Sequence, residues 1–234
     1  LEISELFPNY RVKRLDYDTT RGKNSFNKII SSFEKNEFDI LIGTQMVTKG
    51  LDFKNVKLVG VLNVDNSLNF PDFRAYERCY QLIQQVAGRS GRSLERGEVL
   101  IQTYDSSNDI FNQIITNDYE SMFNSQIEER ERFKYPPFFK LIKITLKHKN
   151  FALVNESANW LAKNLSTILK SNVLGPEFPN INRVRNKYQK NILIKIPSNQ
   201  SLIATKNFIK KSKDKLHSIS SYSSVNVILN VDNY

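Results

Sequence analysis

Two arginines three residues apart, each preceded by a glycine, stand in the run Gln85-Val86-Ala87-Gly88-Arg89-Ser90-Gly91-Arg92. A guanidinium is always charged and meets phosphate oxygens as a planar fork. Glycine, lacking a Cβ, lets backbone crowd a ligand. Two forks at this spacing suit a polyphosphate whose charge must be held while a bond breaks. A basic loop complementing the dipole at a helix C-terminus has the same composition, so the run by itself leaves both readings open. A second segment, Gly43-Thr44-Gln45-Met46-Val47-Thr48-Lys49-Gly50-Leu51-Asp52-Phe53, follows the apolar run Asp39-Ile40-Leu41-Ile42. That run reads as a buried parallel strand. A strand leading into a polar, glycine-bearing loop is where open α/β sheets bind ligands.

A third stretch, Asn182-Arg183-Val184-Arg185-Asn186-Lys187-Tyr188-Gln189-Lys190, alternates cations with small residues and one aromatic. That mixture suits phosphate contacts plus base stacking; a polar hairpin tip is the plainer alternative. Asp65, Asp72, Arg74, Glu77 and Arg78 cluster before the arginine pair. Paired carboxylates can do acid–base work, but a structural ion-pair network bracing the loop and helix is the favoured reading. With only His148 and His217 in the chain, a histidine triad or metal site has little support. The lysines between Lys206 and Lys215 fall on several faces of one helix and read as solvated, with a place over DNA as the alternative.

In order and separation, the first two segments resemble motifs V and VI of superfamily 2 helicases. The wording is closer still to one family. GTQMVTKGLDF, VLNVDNSLNFPDFRAYER, QVAGRSGR, GEVLIQTY and RFKYPPF are similar to blocks of the PriA family of primosomal, replication-restart DNA helicases. The resemblance runs from about Leu15 to the last residues, dense through Tyr135 and thinner after it. It implies a second RecA-like lobe that supplies one wall of an ATP cleft. Arg89 and Arg92 would be the arginine fingers of motif VI, approaching the γ-phosphate when two lobes close. Gln85 and Gly88 belong to the same motif, with Gln85 coupling nucleotide to DNA. Gly50 and Asp52 would lie near the nucleotide, Asp52 facing the ribose hydroxyl or merely capping a turn. Thr44, Gln45 and Lys49 would hold the translocating strand, with Thr19 and Arg21 on the same DNA track. Arg183, Arg185 and Tyr188 match the family's GP-x6-R-x-R-x-x-Y/W run, here starting at Gly175-Pro176.

The implied cofactor is ATP with Mg2+, shared with a first lobe. No G-x-x-x-x-G-K-[ST] occurs in the chain, so the chain alone is expected not to hydrolyse ATP. The family's zinc-binding cysteine pairs lie upstream of the region matched, so Zn2+ is expected only there. The resemblance further implies 3′→5′ unwinding, recognition of stalled forks and restart through primosome assembly. The implied partners are forked or single-stranded DNA, primosome proteins, single-stranded DNA-binding protein and the replicative helicase loader. No membrane partner is implied, and the setting is the bacterial cytoplasm, in association with the nucleoid. A non-catalytic fork-binding or primosome-interaction module is the alternative. A metabolic nucleotide enzyme on a similar sheet is poorly supported by this motif wording.

These residues need a scaffold. At 234 residues the chain suits one large or two modest domains. A net charge of +10 favours polyanions through counterion release, although abundant Lys, Asn and Ile point to compositional bias as well. No apolar stretch approaches a membrane span. The first residues carry neither a basic region nor an apolar run nor an initiator methionine, which reads as a cut inside a longer protein. The single cysteine, Cys79, reads as a small apolar residue of a helix in a reduced compartment.

Strands are expected over 10–17, 39–43, 58–64 and 98–103. Helices are expected from Asn24 or Ser25, carrying Phe26, Ile29, Ile30 and Phe33, and over 73–86. Alternating strands and helices imply a mostly parallel sheet. One helix is expected over 109–133, heavily charged from Gln126 to Arg132, and Tyr135-Pro136-Pro137-Phe138 must break it. The boundary is therefore placed there, giving a helicase lobe over 1–136 and a DNA-binding domain over 137–234. The second part reads β (140–147), α (151–169), a short edge strand near Val173, β (190–196), α (200–216), β (224–231). The fold class is α/β, a RecA-like parallel-sheet lobe followed by a small ferredoxin-like α+β domain.

Overall fold

Period-2 and period-3.6 patterning alternate along the first half of the chain, and the elements follow. In the computed structural model, residues 2–22, 24–44, 56–88 and 97–231 are described. They divide into two compact units, Leu1–Phe123 and Asn124–Tyr234. No helix among the described residues is long and apolar enough to cross a membrane.

In the first unit a short helix α1 (Glu2–Leu6) precedes strand β1 (Val12–Leu15), helix α2 (Ser25–Glu34) and strand β2 (Ile40–Gly43). β1 and β2 pair in parallel, from Val12 opposite Ile40 to Leu15 opposite Gly43. Parallel neighbours require a crossover, which α2 supplies. Its stripe closes the core: Ile29 and Ile30 are buried with Leu15 and Phe38, and Phe26 and Phe33 pack against them. Asn24 occupies the N-cap with φ 68° but makes no side-chain cap bond.

Strand β3 (Leu58–Val61) pairs in parallel with β4 (Glu98–Ile101). Between them lie α3 (Asp65–Leu68) and α4 (Ala75–Ala87). After β4 come α5 (Asp109–Ile115) and α6 (Tyr119–Arg132). Leu68, Cys79, Tyr80, Ile83, Phe111 and Ile114 meet in a second apolar cluster. Burial raises the Cys79 thiol to about 11, with Asp65 adding to the effect. The single helix expected over 109–133 is in fact two. Asn117 turns left-handed at φ 55°, and the Asp118 carboxylate accepts the Ser121 N–H at 3.0 Å to restart the helix. An asparagine that ends one helix and an aspartate that caps the next are local signals the charge pattern concealed. Helix α3 was likewise not anticipated.

The second unit runs β5 (Phe139–His148), α7 (Phe151–Leu169), β6 (Val173–Glu177), β7 (Arg183–Val184), β8 (Lys187–Pro197), α8 (Leu202–Ser218) and β9 (Asn226–Val231). The antiparallel sheet has the order β6-β8-β5-β9, with β7 paired to β8. Each helix connects two strands separated by one other strand, which is the split βαβ arrangement of ferredoxin-like domains. Both helices lie on one face. Ile142, Ile144, Leu146, Ile192 and Ile194 point there and bury Leu161, Leu165, Leu169, Ile209 and Leu216. Asn150 and Ser201 cap the helices by accepting the N–H groups of Leu153 and Ala204. Gly175 sits in β6 at φ 90°, where a Cβ would stand 2.9 Å from the Asn191 carbonyl oxygen. Only glycine fits that approach.

Candidate nucleotide and nucleic-acid interface

The register of β1 against β2 sets the first part of the site. Leu15 opposite Gly43 ends both strands at one edge. That edge carries the turn after Leu15 and the exposed Thr44, so two pieces of the expected DNA track are neighbours. The turn is tightly closed. Thr19 Oγ1 accepts the Asp16 N–H at 2.9 Å and donates to the Asp16 carbonyl at 3.1 Å, while the Thr19 N–H returns to Asp16 Oδ1 at 2.9 Å. The Thr19 N–H bond, with Arg14 alongside, pulls the Asp16 carboxyl below its ordinary range. Thr19 therefore spends its hydroxyl shaping the loop. Arg21 is exposed, paired with Asp18 at 2.7 Å and lying over the Tyr17 ring. Thr44 shows no such commitment among the described bonds.

The second part sits at the end of α4. Ala87 is its last residue, Gly88 donates back to the Gln84 carbonyl at 2.9 Å, and Gln85 is exposed. Gly88 keeps a helical φ of −65°, and a Cβ there would stand 3.4 Å from the Gln84 carbonyl oxygen and 3.9 Å from that of Gln85. Its backbone conformation does not demand glycine. Arg89, Arg92, Gln45, Lys49, Gly50 and Asp52 lie outside the described residues.

The carboxylates before α4 are braces. Asp72 pairs with Arg78 at 2.7 Å and accepts the Arg74 N–H at 2.9 Å. Asp65 accepts from Thr103 Oγ1 at 2.9 Å and the Tyr104 N–H at 3.1 Å, tying α3 to the chain leaving β4. The two carboxylates thus serve separate local networks. No group of three His, Cys, Asp or Glu among the described residues could hold a metal.

The third part is in the second unit. Arg183 stands opposite Tyr188 and Val184 opposite Lys187, leaving Arg185 and Asn186 as a two-residue turn. Both have positive φ, 49° and 60°, the signature of a type I′ hairpin. The segment is therefore a hairpin tip, and it carries more than charge. The Arg183 guanidinium lies 5.1 Å over the Tyr188 ring and bonds the Asn186 side chain. Tyr188 meets Phe151 edge-on at 5.4 Å, Phe151 stacks on Phe178 at 5.0 Å, and Lys190 lies 4.7 Å over Phe178. The tyrosine ring, half-buried, already has partners, whereas Arg185 is exposed at the tip. Phe151, Phe178 and Lys190 were not anticipated as members of this ladder. Only Lys190 was adjacent in sequence; the others are brought in by the topology.

Residues 1–93 match the family described as helicase conserved C-terminal domain. Residues 131–234 match the family described as primosomal protein N C-terminal domain. The chain matches the C-terminal part of PriA-type replication restart proteins. It is 39% identical over 209 residues to the replication restart protein PriA of Bacillus subtilis, covering 87% of this chain and 26% of that protein. It is 45% identical over 141 residues to the PriA of Chlamydia muridarum, covering 60% of this chain and 19% of that protein. With the PriA of Borreliella burgdorferi it shares 30% identity over 217 residues, 92% of this chain and 32% of that protein. The chain thus spans about a quarter of the length of the PriA proteins it matches. In the PriA-like order, the strand-end edge and the α4 terminus fall in the helicase part, and the hairpin ladder falls in the PriA C-terminal part.

Proposed function

We propose that the chain is the C-terminal part of an ATP-dependent 3′→5′ DNA helicase that recognises stalled replication forks and restarts replication through primosome assembly. The observation that carries this reading is the succession of a helicase C-terminal domain and a PriA C-terminal domain along one chain. In this reading the helicase lobe ends near 136 and the DNA-binding domain begins at 137. ATP and Mg2+ bind in a cleft to which this lobe brings Gln85, Gly50, Asp52, Gly88 and the catalytic pair Arg89 and Arg92. The first lobe brings the phosphate loop, so this chain by itself is inactive as a hydrolase. Thr44, Gln45 and Lys49, with Arg21 on the neighbouring loop, hold the translocating strand. Thr19 shapes that loop from within. Arg183 and Arg185 grip fork phosphates, and Tyr188 supports the grip. Primosome proteins, single-stranded DNA-binding protein and the helicase loader are the partners, in the bacterial cytoplasm.

Strand displacement by the whole protein tests the reading. With ATP, it should release a labelled strand from a duplex bearing a 3′ single-stranded tail and leave the 5′-tailed duplex intact. Tight fork binding without displacement of either would select the non-catalytic module instead.

A further inference from the structure

Among the described residues, α7 and α8 both pack on one face of the five-stranded sheet of the second unit. Ile142, Ile144 and Leu146 of β5 point into that helical core. Alternation therefore turns Lys143, Thr145 and Lys147 to the opposite face. On β8 the same face receives Gln189, Asn191, Leu193 and Lys195, by their register with β5. At one end the face is occupied. Lys195 Nζ donates to the Phe133 carbonyl at 2.6 Å and lies 3.8 Å over the Tyr135 ring, and Leu141 is fully buried. From Lys143 to Lys147 the side chains reach solvent: both lysines, Gln189, Leu193 and Ile228 are only half-buried. Beneath them Thr145 Oγ1 donates to Asn191 Oδ1 at 2.9 Å, so the floor is internally satisfied.

Lys143 and Lys147 share in no ion pair among the described residues. Among the described strand residues the one carboxylate on this face is Glu177 on the edge strand, opposite Asn191. It lies two strands from the lysines, roughly 10 Å away. Four residues of strand separate the lysines by about 13 Å, room for contacts to two non-adjacent phosphates of one extended strand. Half-buried Leu193 and Ile228 flank the row. They offer apolar surface to unpaired bases, which a duplex would keep hidden. The aromatic strand residue of this face, Phe139, stands at the occupied end beyond Leu141. From Lys143 to Lys147 and on the strand residues opposite them no aromatic ring provides a stacking platform, so contact through phosphates without sequence preference is the expected mode.

We propose that the helix-free face of this sheet is a second single-stranded DNA track, gripping the backbone through Lys143 and Lys147. It rests on the nucleic-acid reading above and is separate from the hairpin ladder. Binding of labelled oligo(dT) to the full chain, followed by anisotropy across a salt series, tests it. Lys143→Gln with Lys147→Gln should flatten the log–log salt dependence by about 1.4, two contacts at ~0.7 each. The advantage of the wild type then grows about 25-fold between ~1 M and ~0.1 M salt. Lys143→Arg with Lys147→Arg should retain binding. On the unaltered chain, saturating oligo(dT) should protect Lys143 and Lys147 from acetylation while Lys210 on α8 stays reactive. Unchanged affinity and slope in the glutamine variant, a loss confined to duplex DNA, or unprotected lysines would overturn the track. If Arg185→Asn still weakens binding in those cases, the nucleic-acid reading survives; if the unaltered chain binds no DNA, both fall.

Discussion

Arg185 holds a backbone conformation that costs an ordinary side chain stability, at the tip where charge is most exposed to a ligand. Its φ of 49° lies in the left-handed region, which asparagine occupies several-fold more readily than most residues. A fourfold preference is worth about 0.8 kcal/mol (RT ln 4). Arg185→Asn should therefore stabilise the hairpin by about that amount. For a unit of this length, Asn124–Tyr234, the thermal midpoint should rise by roughly 3–6 °C. The same change removes one cation. One lost phosphate contact flattens the salt dependence of DNA binding by about 0.7 on a single strand or 0.9 on a duplex. That corresponds to roughly five- to eight-fold between ~1 M and ~0.1 M salt. The two readouts move in opposite directions, tighter folding and weaker binding, which a merely structural arginine would not produce. Calorimetry and fork-binding titrations on the same preparation measure both. A higher midpoint with unchanged affinity and slope would refute the phosphate contact. A lower midpoint would refute the conformational reasoning.

Gly175→Ala should destabilise the second unit by about 3 kcal/mol, because alanine is strained at this backbone conformation and its Cβ would meet the Asn191 carbonyl at 2.9 Å. A fall in thermal midpoint of roughly 10–20 °C is expected, and an unchanged midpoint would contradict the packing described. Arg11 donates to Asp39 through Nε, Nη2 and its backbone N–H, holding the carboxyl at about 2. A depressed folded pKa contributes stability above the unfolded value that is lost as pH falls through the folded one. Asp39→Asn should thus flatten the decline in urea midpoint between about pH 4 and pH 2; an equally steep decline in both proteins would count against the pair.

Legibility in the sequence followed how local each signal was. Helix α7 spans Phe151–Leu169, the bounds expected from the sequence, because apolar periodicity acts within a few residues. The flanking strands of the second unit were readable for the same reason, and their order follows from two split βαβ connections. The break at Asn117 was hidden by a continuous helical composition on both sides. The hairpin turn was hidden because Arg185-Asn186 contains no glycine, the usual mark of a type I′ turn. The commitment of Thr19 to Asp16 depends on loop closure, which residue type cannot announce. Phe151 and Phe178 reach Tyr188 only through the fold. The motif wording that carried the helicase reading lies largely outside the described residues, so its chemistry rests on sequence and kinship while its strand-end setting is visible in β1, β2 and α4.

DNA-stimulated ATP hydrolysis by the whole protein carrying Arg92→Ala is the most direct test of the motor. Loss of an arginine finger typically costs ~10³-fold or more in rate. Hydrolysis should fall by that order while forked DNA is still bound with its original affinity. Hydrolysis at the unaltered rate would contradict a guanidinium acting on the γ-phosphate.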